Sequence, residues 1–165
     1  MVRVPNRYLP RGLTKKDRLK QAKMLTKSRK LYKKHEFYTR KTVPSFHSKT
    51  SKHIQNARKI YKLRNIIPSK ELAKKTGCSL AALKKIVNKG EGAYFSSGSR
   101  PNQTAQSWGY ARLASSITGG KAAAVDYTIL ESGCNHSKTA FILANKSRKK
   151  HKYGHSKTKR VLLKN

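Results

Sequence analysis

The sequence predicts a mainly α-helical protein: a small helical module holding a helix-turn-helix-like hairpin, flanked by basic N-terminal and C-terminal arms. Two observations carry this. Apolar residues recur at helical spacing between cap and glycine signals. Positive charge is concentrated at the two ends of the chain. Lys and Arg number 40 against 6 Asp and Glu in 165 residues, a formal net charge of +34. Residues 1–67 carry net +19, residues 68–144 only +6, and residues 145–165 carry +9. The boundaries follow as a basic N-terminal arm with one or two helices (1–67), a helical module (68–144) and a basic tail (145–165).

The N-terminal stretch opens with Pro5 and Pro10 in an extended lead-in. Thr14 followed by Asp17 resembles a capping box, with Asp in place of Glu. It predicts a helix to about Lys34, with a thin stripe of Leu19, Ala22, Leu25 and Tyr32 facing inward and basic faces turned to an acidic surface. Residues 35–50 alternate aromatic and basic side chains. Phe37, Tyr38 and Phe46 suit either base stacking or anchoring of the arm, and anchoring is the better reading for a helix short of apolar surface. A second helix is expected from about Ser51, burying Ile54, Ala57, Ile60 and Tyr61.

Pro68 to Gly90 (PSKELAKKTGCSLAALKKIVNKG) has the clearest local pattern. Ser69 and Glu71 suit a helix start, Gly77 an αL end, Ser79 the next cap, and Gly90 the stop. Leu72, Ala73, Leu83 and Ile86 fall at the apolar and small positions of the helix-turn-helix of DNA-binding proteins, which the segment resembles over about 20 residues. That resemblance implies a groove-facing surface of Ala81, Ala82, Lys84, Lys85, Asn88 and Lys89. Only Asn88 suits bidentate base reading, so weak sequence specificity is implied. An ordinary αα-hairpin explains the same pattern.

Residues 90–104 read as an ordered loop pinned by Tyr94 and Phe95, with Arg100 adding charge. A nearly uncharged helix is expected from Ala105 to Thr118, a reversal at Gly119-Gly120, and a helix from Lys121 to Ser132 ended by Gly133. This least basic stretch is the expected core or a protein–protein face. The tail after Ala144 resembles a nuclear-targeting or nucleic-acid-binding arm, with Val161, Leu162 and Leu163 able to dock its end.

No catalytic constellation and no cofactor motif appears, so neither an enzyme nor a cofactor or small-molecule substrate is expected. Cys134-x-His136 with His151-x3-His155 lacks the usual zinc spacing, so no metal is expected. Cys78 and Cys134 do not make a disulfide scaffold, and a reducing compartment is expected. The N-terminus has no apolar signal core, and no run of apolar residues is long enough to span a membrane. A compact body at +34 repels itself within a Debye length of about 8 Å. Duplex DNA, with a charge per roughly 1.7 Å of axis, is a dense source of counter-charge. The expected anion contacts are Lys15, Lys16, Arg18, Lys20, Lys23, Lys27, Arg29 and Lys30 in the first helix. The hairpin adds Lys84, Lys85, Asn88 and Lys89, and the loop adds Arg100. Arg148, Lys149, Lys150, Lys152, Lys157, Lys159 and Arg160 contribute from the tail.

Two strings, RYLPRGLTKKDRLKQAKMLTKSRKLYKK and PSKELAKKTGCSLAALKKIVNKGEGAYFSSGSRPNQTAQSWGYARLASSITGGKAAAVDY, lie within Arg7–Ala144. This region resembles a small family encoded by nucleocytoplasmic large DNA viruses of algae and amoebae. The resemblance implies a role in the virus particle or its genome, located in the virion and, during assembly, in host cytoplasm or nucleus. It lends no functional residues. The expectation is a non-enzymatic minor capsid or core component whose arms meet other virion proteins or nucleic acid. Alternatives are a soluble DNA-binding protein using the hairpin and arms, and a ribosome-associated basic protein.

Overall fold

A computed structural model describes residues 2–152 and 159–164. Among these, eight α-helices and one two-stranded sheet form: β1 (Val2–Pro5), α1 (Lys15–Tyr32), α2 (Lys52–Tyr61), α3 (Lys70–Thr76), α4 (Leu80–Ser96), α5 (Ala105–Ile117), α6 (Lys121–Val125), α7 (Tyr127–Gly133), α8 (Thr139–His151) and β2 (Arg160–Leu163). The expected mainly helical class is what folds. The chain divides into two compact units that do not follow the charge boundaries. One comprises Met1–Lys49, Glu91–Trp108 and Lys157–Asn165, and the other Thr50–Gly90 and Gly109–Ser156.

In the first unit, α1 packs beside the ribbon made by the two ends of the chain. β1 and β2 pair antiparallel, with Val2 opposite Leu163 and Val4 opposite Val161. Val4, Tyr8, Leu9, Ala22 and Leu25 form a small core with Val2, Trp108 and Leu163 packed on it. Leu13, Met24 and Val43 form a second cluster, covered by Tyr38 and Phe46. Tyr38 and Phe46 thus anchor their segment, whereas Phe37 is 71% exposed. Thr14 caps α1 by accepting from the Asp17 amide (3.2 Å). The capping box is not closed by Asp17, whose carboxylate instead accepts from the Ser45 amide (2.9 Å) and hydroxyl (2.6 Å). The Thr14 amide donates to the Ser45 hydroxyl. The buried face of α1 is also more polar than its apolar stripe suggests: Asp17, Gln21 and Ser28 are buried with Ala22, Met24 and Leu25. Leu19 is only half-buried.

The second unit holds the larger core, built on Leu72, Leu83, Ile86, Leu113, Ile117, Leu130 and Phe141. The hairpin forms with the expected caps. Ser69 accepts from the Leu72 amide, Gly77 takes φ 75°, and Ser79 accepts from the Ala82 amide. In α2, Ala57 and Tyr61 are buried, but Ile60 is exposed and Ile54 half-buried.

Several expectations need correction. Gly90 does not stop a helix, because α4 runs on to Ser96. A side chain at Gly90 would come within 2.7 Å of the Gly109 Cα and 3.2 Å of the Arg112 Cβ, so the glycine serves a close helix–helix approach. Consequently the loop expected over 90–104 begins only after Ser96. The helix expected over 121–132 breaks at Asp126, where φ −95° and ψ 16° leave α-helical geometry and the carboxylate turns to Arg112 and Ser116. α8 runs through residue 145, with Ala140, Phe141, Ala144 and Ser147 as its buried stripe. Lastly, the two cysteines are joined as a Cys78–Cys134 disulfide. They face each other across an isolated antiparallel bridge, held by the Ser79 amide on the Gly133 carbonyl and the Asn135 amide on the Gly77 carbonyl, both 2.7 Å. This links the hairpin turn to the turn after α7.

Candidate nucleic-acid interface

α1 carries eight Lys and Arg residues and one acid. Around α1, at about 100° per residue, Lys23, Lys27 and Lys30 fall within roughly 60° of one another, and Lys34 follows in the turn after the helix. From Lys23 to Lys30, seven residues at about 1.5 Å each make the helical part of the row roughly 10 Å long. All four are exposed. They line a shallow groove of about 640 Å³ with Lys33, Thr26, Leu31 and Val2. The Lys27 ammonium sits 4.7 Å from the centre of the Tyr38 ring. Among the described residues, Asp126 of the second unit is the carboxylate that forms ion pairs, so the row is not neutralised internally. Lys23 and Lys27 are neighbours at i+4 and Lys27 and Lys30 at i+3, and each such like-charge pair opposes the helix by about 0.2–0.5 kcal/mol.

Contacts with residues distant in the sequence hold α1 in place despite this. Gln21 donates to the Ser99 carbonyl (3.2 Å). Arg40, buried without a carboxylate partner among the described residues, donates to the Ser28 hydroxyl (2.9 Å), the Tyr94 carbonyl (2.9 Å) and the Ser99 hydroxyl (2.8 Å). Its guanidinium lies 3.7 Å from the Tyr94 ring centre. Burial pulls the Arg40 pKa below its ordinary value. Hydrogen bonds from the Ser45 hydroxyl and amide hold the Asp17 carboxyl below the usual range.

The other expected contacts sort by what they touch. Lys15, Lys16, Lys20, Lys23, Lys27 and Lys30 are exposed, with Arg18 and Arg29 half-buried. Arg18 is drawn into the fold by donating to the Leu9 carbonyl (2.9 Å), and Lys20 reaches the Thr42 carbonyl (3.2 Å). On α4, Ala81, Lys84, Lys85 and Asn88 are exposed. Ala82 is buried, which corrects its place on the reading face. Lys89 lies 3.5 Å from Asp126. The Asp126 carboxylate is fully buried and receives both Arg112 Nε (2.9 Å) and Nη2 (2.6 Å), with the Ser116 hydroxyl at 2.9 Å. Arg100, Arg148, Lys149, Lys150, Lys152, Lys159 and Arg160 are exposed. Lys157 lies outside the described residues, as does His155 of the zinc test. Among the described residues no group of His, Cys, Asp and Glu is placed to hold a metal, and no helix is long and apolar enough to cross a membrane. Lys33 and Lys34, which line the same groove, are not among the expected contacts.

No curated protein and no solved structure matches the chain. One family model does, over residues 5–133, a span that contains the α1 row and the hairpin. The chain therefore belongs to this family, described as a family of unknown function (DUF5824).

Proposed function

We propose that this protein is a non-enzymatic component of a large DNA virus particle, a minor capsid or core protein, that holds nucleic acid by electrostatic contact through α1. The observation that carries the nucleic-acid reading is the exposed, unneutralised row Lys23, Lys27, Lys30 and Lys34. Phosphate contacts of this kind release counterions and carry little sequence information. The viral setting rests on the sequence resemblance alone.

A second reading gives the contact to the hairpin. It is favoured by Lys84, Lys85 and Asn88 standing exposed on α4 while Leu83, Ile86 and Val87 are buried beneath them. Charge reversal separates the two. Fluorescence anisotropy with a short duplex DNA should show binding strongly weakened in Lys27→Glu with Lys34→Glu and retained in Lys84→Glu with Lys85→Glu. The opposite pattern assigns the contact to the hairpin. Full binding by both variants overturns both readings.

A further inference from the structure

In the second unit, Tyr127, Asn145, Arg148, Lys149 and Lys152 line a cleft of about 520 Å³ beside α7 and α8. Its floor is fixed by packing. The Tyr127 ring lies 5.7 Å from that of Phe141, which is buried and stacked by His136 at 3.9 Å. The Tyr127 hydroxyl donates to Asn145 Oδ1 (2.7 Å), which orients the amide and leaves its NH₂ group as a donor. The Arg148 guanidinium sits 4.2 Å from the Tyr127 ring centre. This cation–π contact holds the guanidinium over the ring, and its N–H groups remain available as donors. Among the described residues, no carboxylate or carbonyl accepts from the side chains of Arg148, Lys149 or Lys152. With the tyrosine hydroxyl committed to Asn145, the cleft offers a guanidinium fork, two ammonium groups and an amide NH₂. Such a donor set has one natural complement, an anion with several acceptor oxygens.

We propose that this cleft is a phosphate-binding site for the backbone of nucleic acid, with Arg148 as the forked donor and Lys149 and Lys152 supplying charge. The proposal rests on the nucleic-acid reading for the source of the phosphate, but its residues are separate from the α1 row. They also lie partly beyond the residues matched by the family model, since Asn145, Arg148, Lys149 and Lys152 follow residue 133.

The test follows the Arg148 Nε–H resonance in the nitrogen-labelled full-length protein as short duplex DNA is added, and separately as inorganic phosphate is added. Duplex should shift the resonance. It should do so also in Lys27→Glu with Lys34→Glu once enough duplex is present, so loss of the α1 contact and loss of this site are told apart. Arg148→Lys keeps the charge and removes the fork, and should weaken duplex binding about tenfold, as expected for one lost charge-assisted hydrogen bond. Asn145→Ala, at a half-buried position, should weaken it in the same direction. A response to inorganic phosphate without one to duplex overturns the backbone assignment. No response to either probe, or equal duplex binding by wild type and Arg148→Lys, overturns the site.

Discussion

Lys23→Glu perturbs the α1 row at an exposed, mid-helical position, away from the terminal turns where the helix dipole acts. Lys and Glu have similar helix propensities, so the change is chiefly one of charge. Lys23 now faces Lys20 at i−3 and Lys27 at i+4. Each pair opposes α1 by about 0.2–0.5 kcal/mol, and each becomes favourable by a similar amount with glutamate. The two reversals together stabilise the free protein by about 1 kcal/mol, or a rise of roughly 2–4 °C in Tm for a chain of this size. Binding moves the other way. Losing one phosphate contact lowers the log–log salt slope by about 0.9, which at 0.1 M salt, relative to 1 M, is about an eightfold loss in affinity. Urea or thermal unfolding reads the first effect, and anisotropy with duplex DNA at several salt concentrations reads the second. A variant that is less stable, or that binds with an unchanged slope, refutes the reasoning.

Other consequences are as specific. Asp126→Asn leaves Arg112 without its buried partner and should lower stability by about 3 kcal/mol, read by urea unfolding; an unchanged midpoint would show that the pair contributes little. Gly90→Ala should destabilise in spite of its gain in helix propensity of about 1 kcal/mol, because the new methyl group meets the Gly109 backbone at 2.7 Å; a raised Tm would contradict this. Reducing the Cys78–Cys134 disulfide, whose partners are 56 residues apart, should cost about 4 kcal/mol by loop-closure entropy; the check is the unfolding midpoint with and without a dithiol. The depressed pKa of Asp17 contributes stability that is present above its ordinary value of 3.8 and is lost as pH falls through the lower folded value. Asp17→Asn should flatten that acid limb of the unfolding curve, and an identical acid limb would remove the Ser45 contact as its cause.

How far the sequence reveals this fold depends on the range of the interaction. The α3–α4 hairpin is legible because Ser69, Gly77 and Ser79 act within a few residues of the backbone groups they satisfy. The limits of α5 are legible for the same reason. Gly90 misleads because a glycine that ends a helix and one that admits a neighbouring helix look alike until Gly109 is placed against it. Asp126 and Arg40 carry no local signal of their burial, since nothing nearby in the sequence shows that Arg112, or Ser28 with Ser99, will enclose them. The pairing of β1 with β2 joins two four-residue segments from opposite ends of the chain, and such short strands carry almost no periodic signal. The lysine row is the reverse case. Its spacing is written in the sequence, but in a chain so rich in lysine it stands out only when the buried face of α1 is known.

The central claim is that α1 holds nucleic acid through the charges of its row, and the salt dependence of duplex binding by the full-length protein tests it most directly. Four phosphate contacts predict a log–log slope steeper by about 3 to 4 for the wild type than for a variant with Lys23, Lys27, Lys30 and Lys34 all replaced by Glu. Equal slopes for the two proteins would contradict the account.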